Sequence, residues 1–101
     1  MSRTVVTPRT RTRQKTERPR LYKVLLLNDD YTPREFVVKV LRAVFRMGDD
    51  QAYRVMMTAH KLGTCVVAVY TQDVAETKAT EATEAARRAG HPLTFSTEPE
   101  E

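Results

Sequence analysis

The chain has 101 residues, 41% hydrophobic and 30% charged, with a single cysteine and a formal net charge of +4. That length sets a ceiling of one domain, the lone cysteine excludes an intramolecular disulfide, and no run approaches the roughly eighteen apolar residues of a membrane span. The first residues also lack the apolar stretch of a secretory signal, so a soluble intracellular protein with no membrane partner is expected. The positive charge is unevenly placed: residues 1–20 hold seven basic groups and one acidic, a net +6, whereas residues 21–101 hold ten basic and twelve acidic, a net −2.

Residues 1–19 mix Thr, Arg, Gln, Lys and Pro, with only Val5 and Val6 as adjacent aliphatics. That is too little apolar surface to offset the entropy of ordering, so 1–19 is expected as a disordered basic tail and 20–101 as the folded domain. Such a tail leaves one alternative function open, nucleic-acid binding. The body lacks the interleaved aromatics and basic face that single-strand readers use, so no nucleic-acid partner is expected.

From Leu21 to Leu27 the run LYKVLLL is β-rich and mostly apolar, the pattern of a largely buried strand. Asn28, Asp29, Asp30 and Tyr31 interrupt it. Thr32 then reads as a helix N-cap, Pro33 as the first helical residue and Glu35 as the capping-box partner. Phe36, Val37, Val40, Leu41, Val44 and Phe45 form the apolar stripe of that helix, and Gly48 is expected to close it. Asp49 or Asp50 is expected to cap a second helix with Ala52, Val55, Met56 and Ala59 inward, running out at Gly63, and His60 lies on an edge of its stripe. The run TCVVAVY (Thr64 to Tyr70) is a second strand, in which Cys65 reads as a buried small hydrophobe. A third helix is predicted from Asp73 to Ala89, burying Val74 and a series of alanines, with Gly90 as its stop. Leu93 to Thr97 make a last strand, with Leu93 and Phe95 on one face. The order strand, helix, helix, strand, helix, strand predicts an α+β fold: a small two-layer sandwich, a three-stranded antiparallel sheet with three helices on one face.

The densest polar cluster is Asn28-Asp29-Asp30-Tyr31-Thr32, between a buried strand and a helix start. Asp and Asn make turns and suit a helix N-terminus, so the cluster has a purely structural reading, as His60 has at the edge of a core. Taken together, Asn28, Asp29, Asp30 and His60 offer hydrogen-bond acceptors of the kind a primary ammonium group requires. Val37, Met56, Ala59 and Leu93 could supply an apolar wall beside them if the helices and the last strand converge. An ammonium next to an apolar side chain describes a free protein N-terminus. The competing chemistry is a metal-dependent enzyme using Asp29, Asp30, His60 and His91, but these residues lack the local HExxH or CxxC spacing of a specific metal motif, and neither metal nor cofactor is expected.

The segments LNDDYTPREFV (Leu27 to Val37), VMMTAH (Val55 to His60), VYTQDVAETK (Val69 to Lys78) and HPL (His91 to Leu93), in one collinear order, resemble ClpS, the N-degron adaptor of bacterial and plastid Clp proteases. The resemblance spans about residues 20–97. It implies a non-enzymatic adaptor that binds the free N-terminal Phe, Tyr, Trp or Leu of a substrate and delivers it to the N-terminal domain of the AAA+ unfoldase ClpA, whose peptidase is ClpP. By the same resemblance, Asn28, Asp30 and His60 contact the α-amino group, with Asp29 supporting the peptide backbone or the loop. Thr32, Pro33, Arg34, Val37, Met56, Ala59 and Leu93 form the side-chain pocket, Asp73 and Lys78 the unfoldase-docking face, and the basic tail serves delivery. The bacterial cytoplasm is the expected location. One position departs from the family pattern: Arg34 stands where ClpS proteins commonly have Met, so Arg34 is expected to shift selectivity among Phe, Tyr, Trp and Leu without abolishing binding.

Overall fold

A computed structural model describes residues 18–101, so most of the tail expected over 1–19 lies outside the described residues. Arg18, Pro19 and Arg20 are exposed and take no regular structure. Beyond them come β1 (Leu21–Leu27), α1 (Arg34–Phe45), α2 (Asp49–Leu62), β2 (Thr64–Thr71), α3 (Gln72–Arg88) and β3 (Thr94–Pro99). The three strands form one antiparallel sheet in the order β2-β1-β3. α3 packs along all three strands and α2 along β2, while α1 packs chiefly against α2 and α3. The architecture is the α+β arrangement expected from the pattern.

Strand parity decides which face of the sheet is dry. Val24 and Leu26 of β1 point into the core with Phe95 of β3, opposite Leu26, whereas Val66 and Val69 of β2 remain exposed. Register slips at Val24/Leu25, where Ala68 and Val66 are the β2 partners and Val67 has none, so the adjacent Val67 and Ala68 both contact the core. At the free edge of β3, the Thr83 hydroxyl bonds both the N–H (3.0 Å) and the carbonyl (3.4 Å) of Phe95. Those two backbone groups would otherwise be open to another strand.

Helix termini differ from the expected caps. Pro33, not Thr32, is the residue flanking α1, its carbonyl accepting from Phe36 and Val37, and neither Thr32 nor Glu35 caps the helix with a side chain. Thr32 is drawn away by a stronger partner, the Asp29 carboxylate. α1 closes at Arg46 in the left-handed region (φ 60°) rather than at Gly48, which instead flanks the start of α2 without help from Asp49 or Asp50. The Asp49 carboxylate pairs with Arg42 at 2.8 Å. α2 ends as expected at Gly63, at φ 92°, where a side chain would be strained. α3 begins one residue before Asp73, flanked by Thr71, and Ala89 is its closing residue. Gly90 (φ 82°) lets the His91 N–H return to the Ala86 carbonyl at 2.9 Å, the six-to-one bond of a Schellman ending.

The alanine face of α3 is Ala75, Ala79, Ala82 and Ala86, all buried. Val74 is one residue out of phase with it and stands 42% exposed, contrary to expectation. The last strand starts one residue later and ends two later than expected, and Cys65 is half-buried, with burial pushing its thiol pKa up.

Candidate functional site

The loop after β1 and the end of α2 meet through the backbone. The Asn28 N–H donates to the Gly63 carbonyl at 3.0 Å, tying the polar cluster to the turn that closes the helix carrying His60. This junction brings together the residues whose convergence the sequence left open.

Asp29 folds into its own turn. One carboxylate oxygen accepts from the N–H groups of Tyr31 and Thr32, each at 2.8 Å, and from the Thr32 hydroxyl at 3.0 Å. The second oxygen accepts from the same hydroxyl at 2.9 Å, which satisfies Thr32, the one buried polar side chain among the described residues. Burial acts to raise the Asp29 pKa, but the donors from Thr32 and Tyr31, together with the nearby His91, outweigh it and hold the carboxyl below its ordinary value. Asp29 is therefore a rivet of the loop. Among the described residues, no side-chain hydrogen bond engages Asn28 or the Asp30 carboxylate.

The cavity beside this loop has a volume of about 170 Å³ and is lined by Leu26, Asn28, Asp29, Asp30, Thr32, Arg34, Val37, Met56, Ala59, His60 and Leu93. Every candidate for the amino-binding set lines it, and so does every candidate for the side-chain pocket except Pro33, which is exposed at the head of α1. Leu26 is an additional lining residue, beyond those expected from the sequence. The parity of β1 held the clue, because Leu26 shares a face with the inward Val24. The apolar wall draws on every layer: Leu26 from the sheet, Val37 from α1, Met56 and Ala59 from α2, and Leu93 from the segment before β3. Each of these five is almost fully buried, so the wall is continuous with the core and is as rigidly packed.

At the rim, Arg34 from the first turn of α1 approaches His60 from the last turn of α2, Nη2 to Nε2 at 3.3 Å. A guanidinium only donates, so Nε2 accepts here and the ring proton is assigned to Nδ1. His91 does not line the cavity, and its ring stands edge-on to Phe36 with centroids 4.6 Å apart. Among the described residues, no three His, Cys, Asp or Glu side chains are placed to hold one metal ion. No helix among them is long and apolar enough to cross a membrane.

Asp73 and Lys78 lie away from this cavity on α3. Asp73 is exposed in the first turn, whereas the Lys78 ammonium reaches across to the Val44 carbonyl in the last turn of α1, at 2.9 Å. A cation at the negative end of a helix is favourably placed, so Lys78 has a structural task whatever else it does.

Three comparisons bear on this arrangement. Residues 17–96 match the family model described as ATP-dependent Clp protease adaptor protein ClpS. The chain is 67% identical over 101 residues, the whole of both chains, to the ATP-dependent Clp protease adapter protein ClpS 1 of Bradyrhizobium diazoefficiens. It is 64% identical to ClpS 2 of Mesorhizobium japonicum, over 93% of each chain. Its fold superposes on the solved structure of Agrobacterium tumefaciens ClpS2 bound to L-phenylalaninamide with a TM-score of 0.81 and 66% identity, covering 82% of this chain and 100% of that one. The chain belongs to the ClpS family, the non-catalytic adaptors of the Clp protease.

Proposed function

We propose that this adaptor captures the free N-terminal residue of substrate proteins when that residue is Phe, Tyr, Trp or Leu, and hands them to the ClpA unfoldase of a bacterial cytoplasm. The observation that carries the reading is the union, in one cavity, of an apolar wall and polar acceptors, of which Asn28 and Asp30 have no side-chain hydrogen bond among the described residues. About 170 Å³ suits a single side chain, since a cavity of about 150 Å³ admits benzene. The aromatic amide held by the Agrobacterium relative has the same two parts, a free amine and a ring.

In this reading the substrate's amino group, with an unperturbed pKa of about 7.7–8.0, enters as an ammonium. Asp30 pairs with its charge, Asn28 and His60 accept its remaining protons, and Asp29 keeps the loop in shape. Val37, Met56, Ala59 and Leu93, with Leu26 beneath them, enclose the side chain, while Thr32 and Pro33 fix the course of the chain into α1. No bond is made or broken. Delivery rests on the α3 face with Asp73 and Lys78 and on the basic residues 1–19. Because Lys78 also braces α1, its substitution is read together with a stability measurement.

The test compares one Phe-initiated peptide with its acetylated form by fluorescence anisotropy. Acetylation removes the charge and two donors, and hydrogen bonds to charged groups contribute about 1.5–3 kcal/mol each, so a loss of about tenfold or more is expected. Equal affinities would refute the pocket assignment.

Arg34 is expected to tune which residue is preferred. Its guanidinium is already a cation on His60 Nε2, and the incoming ammonium must share or displace it. Its stem can line the cavity and its plane can stack on a bound ring. Arg34→Met is therefore expected to change the ranking of four peptides that differ only in a first residue of Phe, Tyr, Trp or Leu while preserving binding. An unchanged ranking in a titration of all four would remove Arg34 from the selectivity argument.

A further inference from the structure

Tyr31 is the one large side chain of the cavity loop that neither the cavity nor the core uses. It is 82% exposed and absent from the cavity lining, yet its neighbours on both sides, Asp30 and Thr32, line the cavity. Its own N–H is fixed on the Asp29 carboxylate at 2.8 Å, and the next N–H and hydroxyl are fixed on the same group. The side chain is thus open to solvent on a pre-ordered loop whose flanking residues border the cavity. A tyrosine loses little conformational freedom on binding and offers a broad flat face, which makes it an economical contact residue when its backbone is already held.

We propose that Tyr31 is a stacking platform for the second residue of the captured peptide, selecting a planar side chain, either an aromatic ring or an arginine guanidinium. The inference rests on the proposed capture of a free N-terminus. If Asp30 takes the ammonium and the first side chain fills the cavity, the second residue is the first to lie outside, and it starts only a few bonds from the amine. It therefore emerges beside Asp30, alongside the Tyr31 ring. Glycine or leucine at that position offers the ring no flat partner. A guanidinium adds attraction to the π face and to the neighbouring carboxylate.

The test is a set of peptides Phe-X-Gly-Ser-Gly-Lys carrying a C-terminal fluorophore, with X as Trp, Arg, Leu or Gly, titrated against the full-length wild-type protein, Tyr31→Ala and Tyr31→Phe. Wild type is expected to bind Trp and Arg about two- to twelvefold more tightly than Leu and Gly, the range of one stacked pair. Tyr31→Phe should keep that spread and Tyr31→Ala should collapse it. The substitution leaves the backbone N–H that bonds Asp29 in place, so the loop keeps its rivet. No spread in wild type, a spread that survives in Tyr31→Ala, or an equal loss for all four peptides would each overturn the platform. Acetylated Phe-Trp peptide separates the two failures: if it binds as well as the free one, the capture reading itself falls, whereas if it does not bind and the spread is indifferent to Tyr31, only the platform does.

Discussion

Replacing His60 with alanine is expected to weaken binding of a Phe-initiated peptide by about tenfold or more while leaving the fold intact. The fold should tolerate the change because the imidazole is exposed and, among the described residues, its one side-chain hydrogen-bond partner is Arg34, itself exposed. Losing it frees a guanidinium to water at little cost, as exposed polar pairs contribute little. Binding should suffer because the ligand's ammonium has three protons to place, and removing one acceptor leaves a donor facing the apolar wall. Asp30→Ala is expected to cost at least as much, since it removes the charge that balances the ammonium, and Asp30→Asn separates charge from hydrogen bonding. Anisotropy titrations paired with thermal melts decide the matter. Wild-type affinity in both alanine variants would show that the amine is held elsewhere.

The elements of this fold were legible because their periods are clean. Val37, Val40 and Leu41 mark one face of a helix, and Phe95 returns to the core as strand parity requires. What the pattern left unread was local competition for hydrogen bonds. Thr32 could cap α1 or bond Asp29, and only the geometry of the turn shows that the carboxylate wins. The same turn separates two adjacent aspartates of identical chemistry, Asp29 consumed by the loop and Asp30 left at the cavity. Arg46 takes a left-handed conformation that Gly48, two residues on, would adopt at less cost, and no local rule announces that. In α3 spacing, not hydrophobicity, sets the buried face: Ala75, Ala79, Ala82 and Ala86 keep helical spacing, and the more apolar Val74 does not. The site itself needed one long-range fact, the bond from Asn28 to Gly63, which no spacing along the chain contains.

A large loss of stability is expected from truncating Leu41, which is fully buried in the core stripe of α1. Leu41→Ala removes a side chain and leaves a cavity, a change that costs about 2–5 kcal/mol, against about 5–15 kcal/mol for the whole stability of a small domain. Urea unfolding should show the midpoint falling with an unchanged slope, because the surface exposed on unfolding is nearly the same. A shift under about 1 kcal/mol would mean that α1 repacks around the gap, contrary to its place between α2 and α3. This variant also gives a test of capture that needs no label. Leu41 does not line the cavity, so a ligand that binds only the folded state should restore stability by about 2.7 kcal/mol at one hundred times its dissociation constant. A Phe-initiated peptide should move the midpoint back and its acetylated twin at the same concentration should not. Equal recovery with both would place the peptide somewhere other than the amine-binding cavity, since the free amine is the only difference between them.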